Sequence, residues 1–164
     1  MRRADQLPFT QWTEINRTER FISVEPLSGY AIIQREDEGF VIYLTPDAAD
    51  EALGQALLET LDRSRYIWPP DPEFSEADRY MRCYRNWQKD AMRRYGYKTK
   101  NALYRNMDWC RAKRSEGKIS IAPHKRGKPA YFTDLPPDQT VVIPETRDAA
   151  AVGAALRTGL DRCK

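Results

Sequence analysis

Covalent or metal chemistry in this chain would have to be built from few parts: one histidine, His124, and three cysteines, Cys83, Cys110 and Cys163. The cysteines are widely spaced, with no Cys-x-x-Cys among them. They do not form a zinc framework, which needs close pairs of N or S ligands. A catalytic histidine would come from Ile119-Ser-Ile-Ala-Pro-His124, where nothing nearby resembles a nucleophile elbow. The expectation is a surface histidine with a local hydrogen bond, and cysteines that serve as small apolar core residues. Acid/base work would fall to carboxylates such as Asp62 and Asp161, each embedded in Leu-Asp-Arg. An Asp beside an Arg near a helix end reads first as a solvated ion pair worth ~0–1 kcal/mol. No catalytic residue, metal ligand or cofactor site is expected.

Charge offers a second kind of chemistry. Residues 79–128 hold 16 of the 27 Lys and Arg but only Asp90, Asp108 and Glu116 of the 24 acids, so the rest of the chain is strongly acidic. Tyr80, Tyr84, Trp87, Tyr95, Tyr97, Tyr104 and Trp109 interleave with those cations. Cations collect phosphate and rings stack bases, so a nucleic-acid-binding segment is one reading. On a helix the same rings fall on one face and belong to a core, which is the reading preferred here. Two acidic surfaces stand opposite in sign. One is the hairpin turn Glu36-Asp37-Glu38 before Gly39; the other is Asp71, Glu73, Glu76 and Asp78, beside Tyr66 and Trp68 as apolar anchors.

The elements that position these residues recur. Ile22-Ser-Val-Glu-Pro26 answers Ile119-Ser-Ile-Ala-Pro123, and Leu53-Gly-Gln-Ala-Leu-Leu-Glu-Thr-Leu-Asp-Arg-Ser64 answers Val152-Gly-Ala-Ala-Leu-Arg-Thr-Gly-Leu-Asp-Arg-Cys163. Each half reads as strand, strand, amphipathic helix. Strands are expected over 21–24, 30–34, 40–44, 119–122 and 140–143, and helices over 47–63 and 148–162, the first capped by Thr45 or Asp47. Gly54 and Gly153, unfavourable inside a helix by about 1 kcal/mol, imply close helix-to-sheet contact. Between the halves Tyr66-Ile-Trp-Pro-Pro-Asp-Pro72 admits no regular element. A helix then starts at Ser75 with Asp78 and stops at Gly96, and further helix is expected from Tyr97 to Arg114.

At 164 residues with 41% hydrophobic and 31% charged content, the chain suits one compact domain. No stretch approaches the ~20 apolar residues of a membrane span, and the amino terminus lacks the apolar run of a signal peptide, so a cytoplasmic protein is expected. The fold class is α+β: one domain over 1–164, two similar units at about 20–64 and 119–163 around an antiparallel or mixed sheet, and a helical insert at about 65–118.

Four strings in this order carry a family likeness: Phe21-Ile-Ser-Val-Glu-Pro26, Tyr95-Gly-Tyr-Lys-Thr-Lys-Asn-Ala-Leu-Tyr-Arg-Asn-Met107, Ile119-Ser-Ile-Ala-Pro-His124 and Val152 to Cys163. The sequence resembles the immunity proteins of bacterial contact-dependent growth inhibition systems over roughly residues 12–163. The resemblance implies a cytosolic inhibitor, not an enzyme, whose partner is the carboxyl-terminal toxin domain of an effector protein, commonly a nuclease. Residues 125–139 depart from the family pattern, which leaves the toxin's identity open. The two acidic surfaces are the candidate contacts, because a carboxylate-bearing face complements a cationic nucleic-acid groove. The alternatives are that both are ordinary solvated loops, or that an acidic toxin meets the basic residues from Arg79 to Lys128.

Overall fold

The computed structural model describes residues 6–128 and 130–164; residues 1–5, read above for a signal segment, and Pro129 lie outside them. Strand β1, Thr10–Arg17, alternates Thr13 and Ile15 on one face with Glu14 and Asn16 on the other. At Thr18 the chain reverses, where the Thr18 hydroxyl accepts from the amides of Arg20 and Phe21. Strand β2, Ile22–Gly29, returns antiparallel to β1 with Val24 opposite Ile15. Two short strands share its outer edge. β3, Ile33–Arg35, pairs with the end of β2 and β4, Ile42–Leu44, with its beginning. Helix α1, Asp50–Arg63, follows.

The second half runs through the same order. β5, Asp108–Ser115, and β6, Lys118–Arg126, form a hairpin; β7, Phe132–Asp134, pairs with the end of β6 and β8, Val141–Pro144, with its beginning. Helix α4, Ala149–Asp161, closes the half. Centrally β1 lies antiparallel to β5, Ile15 opposite Cys110, which makes one eight-stranded antiparallel sheet. Between the halves stand α2, Ala77–Tyr95, and the short α3, Lys100–Tyr104.

One face of the sheet is covered by α1 and α4. Ile15, Val24, Ile119 and Ile121 meet Leu57, Leu61, Leu156 and Leu160 there, all fully buried. The two helices touch through glycine. A Cβ on Gly54 would lie 1.7 Å from the Ala149 carbonyl oxygen, and one on Gly153 would lie 1.6 Å from that of Asp50. The close approach is therefore helix to helix, not the helix-to-sheet contact expected from the sequence. A second core, under α2 and α3, gathers Phe21, Trp87, Ala91, Tyr97, Leu103 and Met107.

Several expected elements differ. Each half carries four strands before its helix, because β1, β5 and β7 escaped the sequence reading. The helix expected over 97–114 is limited to α3. Gly96 leaves α2 at φ 70°, Thr99 caps α3 by accepting from the Ala102 amide, and residues 108–115 then extend. The strand expected at 30–34 begins only at Ile33. Gly29, at φ 143°, turns the chain so tightly that a Cβ there would lie 2.1 Å from the Ile32 oxygen. Ala49, not Thr45 or Asp47, precedes α1, whereas Asp148 caps α4 through the Ala151 amide. Glu76 precedes α2 with no side-chain cap, so Ser75 does not start that helix.

Candidate functional site

The turn between β3 and β4 does not project three free carboxylates. Glu36 is gripped by Arg65, Nε to Oε1 at 2.6 Å and Nη2 to Oε2 at 2.9 Å. Burial pushes its carboxyl up, but the hydrogen bonds from Arg65 and Ser28 and the charges of Arg65 and Arg79 hold it below the usual range. Asp37 meets Arg82 at 3.1 Å and Arg79 at 3.3 Å. Of the three turn carboxylates, Glu38 alone has no ion pair among the described residues. The cations responsible sit outside the turn, on the connection after α1 and on α2, so local sequence could not reveal them.

A different surface surrounds the proline-rich connection. Main-chain bonds from Gly29 to Arg65 and from Ile67 to Gly29 lay this connection beside the end of β2. They bring Tyr66 and Trp68 against Tyr30, with ring centroids 5.6 and 4.7 Å away, and Phe9 packs at a tilt against Tyr66 at 5.4 Å. Phe9 is 60% exposed, Ile32 58%, Leu7 45% and Trp68 40%. The backbone of Leu7 is fastened at both ends, its amide donating to Tyr30 and its carbonyl accepting from Tyr66. This aromatic ladder is held in place yet open to solvent, as an apolar docking surface must be. Leu7, Phe9, Tyr30 and Ile32 were missed by the sequence reading, because they come from segments far apart in the chain.

A small cleft of about 90 Å³ lined by Tyr30, Ile32, Asp71 and Phe74 joins the ladder to the acidic stretch. Asp71 folds back to accept from the amides of Glu73 and Phe74, which shapes the loop. Asp71, Glu73, Glu76 and Asp78 are exposed. In contrast to Glu36 and Asp37, none of these four is in an ion pair among the described residues.

On the inner side of α2 lies a charged cluster that the sequence reading did not anticipate. Glu25 of β2 and Glu14 of β1 stand directly opposite, and Glu14 stands opposite Arg111 of β5. Like charges across a strand pair repel. Arg35 of β3 resolves the conflict by donating Nε to Glu25 at 2.9 Å and Nη2 to Glu14, beneath the rings of Trp87 and Tyr84. Burial and then the Glu14 charge push the Glu25 carboxyl up to about 8 against the pull of Arg35. Burial also pushes Glu14 up, but the charges of Arg35 and Arg111 prevail and hold it low. One carboxyl of the pair thus retains its proton at neutral pH while the other balances the guanidinium.

The remaining candidates are engaged separately. Asp62 receives Arg114 at 2.8 Å and Arg147 at 2.9 Å, while Asp161 receives Arg17 at 2.9 Å, so each Leu-Asp-Arg carboxylate serves its own ion pairs. His124 is buried rather than on the surface. It stacks on Trp109, with Nδ1 3.2 Å from the Trp109 carbonyl and Nε2 3.2 Å from Asp134. Burial lowers its pKa despite both acceptors. The basic third is divided among two helices and two strands, and Trp87, Tyr97 and Tyr104, which would stack bases, are buried. Arg79, Arg93, Arg94, Arg114 and Arg126 are spent on neighbouring carboxylates.

A paired-helix face over an antiparallel sheet, an exposed aromatic ladder and an internally paired charge cluster define a protein that presents a surface. The comparisons give that class a family. The model for CdiI, CDI immunity protein, matches residues 11–163, and the chain belongs to this family. The immunity protein CdiI-YPIII of Yersinia pseudotuberculosis serotype O:3 (strain YPIII) is 29% identical over 168 residues, covering 93% of this chain and 95% of that protein. Among solved structures, the CdiA-CT/CdiI toxin and immunity complex from Yersinia pseudotuberculosis matches with a TM-score of 0.88 and 29% identity, over 95% of this chain and 98% of that one. A protein of unknown function from Neisseria meningitidis shares the fold at TM-score 0.88 and 23% identity, over 99% of this chain and 100% of that one.

Proposed function

We propose that this protein confers immunity by binding the carboxyl-terminal toxin domain of a contact-dependent growth inhibition effector in the cytosol, without chemistry of its own, and that the toxin is a nuclease. The docking face is the ladder of Phe9, Tyr66, Tyr30 and Trp68 together with the ridge of Asp71, Glu73, Glu76 and Asp78. The observation that carries this choice is the contrast between the two acidic surfaces. The carboxylates of Glu36 and Asp37 are answered within the molecule, whereas those beside the ladder are left for a partner. Family membership and the relative found in a toxin and immunity complex supply the partner's class. A nuclease grips an anionic backbone with cations, so a carboxylate ridge speeds encounter while desolvated rings slow release.

Binding kinetics with the cognate toxin domain test the face. Trp68→Ala is expected to accelerate dissociation at least tenfold, and Asp71→Lys with Glu73→Lys to slow association and flatten its salt dependence. If both variants bind as the parent does while Glu36→Lys, Asp37→Lys and Glu38→Lys together impair association, the face is the β3–β4 turn instead.

A further inference from the structure

We propose that Cys110 and Cys163 form a reversible disulfide site that peroxide closes and a dithiol reopens, fastening the carboxyl-terminal end of α4 to the central strand β5. The two sulfurs lie 3.6 Å apart. Gly159 makes that approach possible: a Cβ on it would lie 2.6 Å from Cγ2 of Ile121 and 3.8 Å from Cys110 Sγ, so only a glycine lets the last turn of α4 settle this deeply. The chain end is also pinned. The Lys164 amide donates to the His124 carbonyl, and the Arg126 amide donates to that of Lys164.

The two thiols are unequal in a way that assigns their roles. Cys163 is half-buried and within reach of solvent, whereas Cys110 is fully buried. The contact between the two sulfurs lowers the Cys163 thiol pKa, while the same contact followed by burial raises that of Cys110. Thiolate character and access together select the sulfur that reacts first. Cys163 sulfur attacks a peroxide oxygen, the O–O bond breaks, and Cys163 becomes a sulfenic acid as one water leaves with its proton. Cys110 sulfur then attacks the Cys163 sulfur and expels hydroxide, which departs as the second water with the Cys110 proton. Two thiols lose two electrons and one peroxide gains them. Cys83 is an internal control, because it sits on α2, its thiol directed at Asp37.

The full chain, reduced and then treated with hydrogen peroxide, tests the site by intact mass, peptide mapping and thermal unfolding. The expected result is loss of two hydrogens, a peptide pair linked through residues 110 and 163 with Cys83 still alkylatable, and a Tm raised by roughly 5–10 °C that dithiothreitol reverses. Cys163→Ser is expected to abolish the link and the Tm shift. Sulfinic acid on Cys163 with Cys110 still free, chains joined through Cys83, or no change in mass would each overturn the proposal.

Discussion

Glu25 shows how a single side chain can set the pH response of the whole fold. In the native state its carboxyl titrates near 8, against an ordinary value of 4.5 when the chain is unfolded. Between those values the folded state binds the extra proton. The stability it contributes is fully present below about pH 4.5 and is lost as pH rises through about 8. Glu14 acts in the opposite sense, since its lowered value contributes stability in neutral solution that is lost in acid. Urea unfolding of the parent is expected to show stability falling from about pH 6.5 to about pH 8, above the range in which buried His124, its pKa lowered, opposes the trend, and Glu25→Gln to remove that slope. An unchanged slope in the variant would mean that Glu25 is ionised in the fold. Neither glutamate was legible as a member of a cluster. Each lies within an alternating strand segment, Thr13-Glu-Ile-Asn16 and Ser23-Val-Glu-Pro26, but Arg35 opens a charged turn and reads as solvent-facing. Tyr66, Trp68 and the acids at 71–78 were legible because they are contiguous. Their ladder partners Phe9 and Tyr30 became visible only when β2 and the connection after α1 were brought side by side.

Among the elements, the helices were read better than the strands, and for a physical reason. α1, α2 and α4 carry apolar residues at helical spacing over 13 or more residues, and Gly96 stops α2 at a positive φ. β1 and β5 carry Gln11, Glu14, Arg111, Lys113 and Arg114, so their alternation is masked by polar side chains, of which the tertiary structure pairs Glu14 with Arg35 and Arg114 with Gln11 and Asp62. Short edge strands such as β3 and β7 depend almost wholly on their partners. The glycines shared by α1 and α4 were recognised as contact residues but assigned to the wrong neighbour, since helix-on-helix and helix-on-sheet packing leave the same mark in sequence. Gly54→Ala gains about 1 kcal/mol of helix propensity but forces two backbones apart. Its net effect is expected to be a loss of more than about 2 kcal/mol in urea unfolding, with Gly153→Ala behaving alike. Stabilisation by either variant would contradict the contact.

For the molecule as a whole, the decisive feature is the seam where β1 pairs with β5, Thr10 opposite Ser115 and Arg17 opposite Asp108. It is reinforced across the helix ends, Arg17 of β1 reaching Asp161 beyond the seam and Arg114 of β5 reaching Asp62. Neither half owns a complete core, because α1, although it rests on β1 and β2, packs along its length against α4. A fragment ending before Asp108 is therefore expected to lack a cooperative urea transition, and one that unfolds as sharply as the parent would show the seam to be dispensable. The seam also dictates an order in time. A growing chain makes β1 nearly a hundred residues before its partner strand and α1 about as long before α4. Throughout that interval β1 offers a bare hydrogen-bonding edge and α1 an apolar flank left open on the side that α4 will occupy, both of which invite pairing with other nascent chains. Native assembly waits for the last helix to be synthesised, so a cell that loses its existing stock of this protein regains none of its protection from half-made copies.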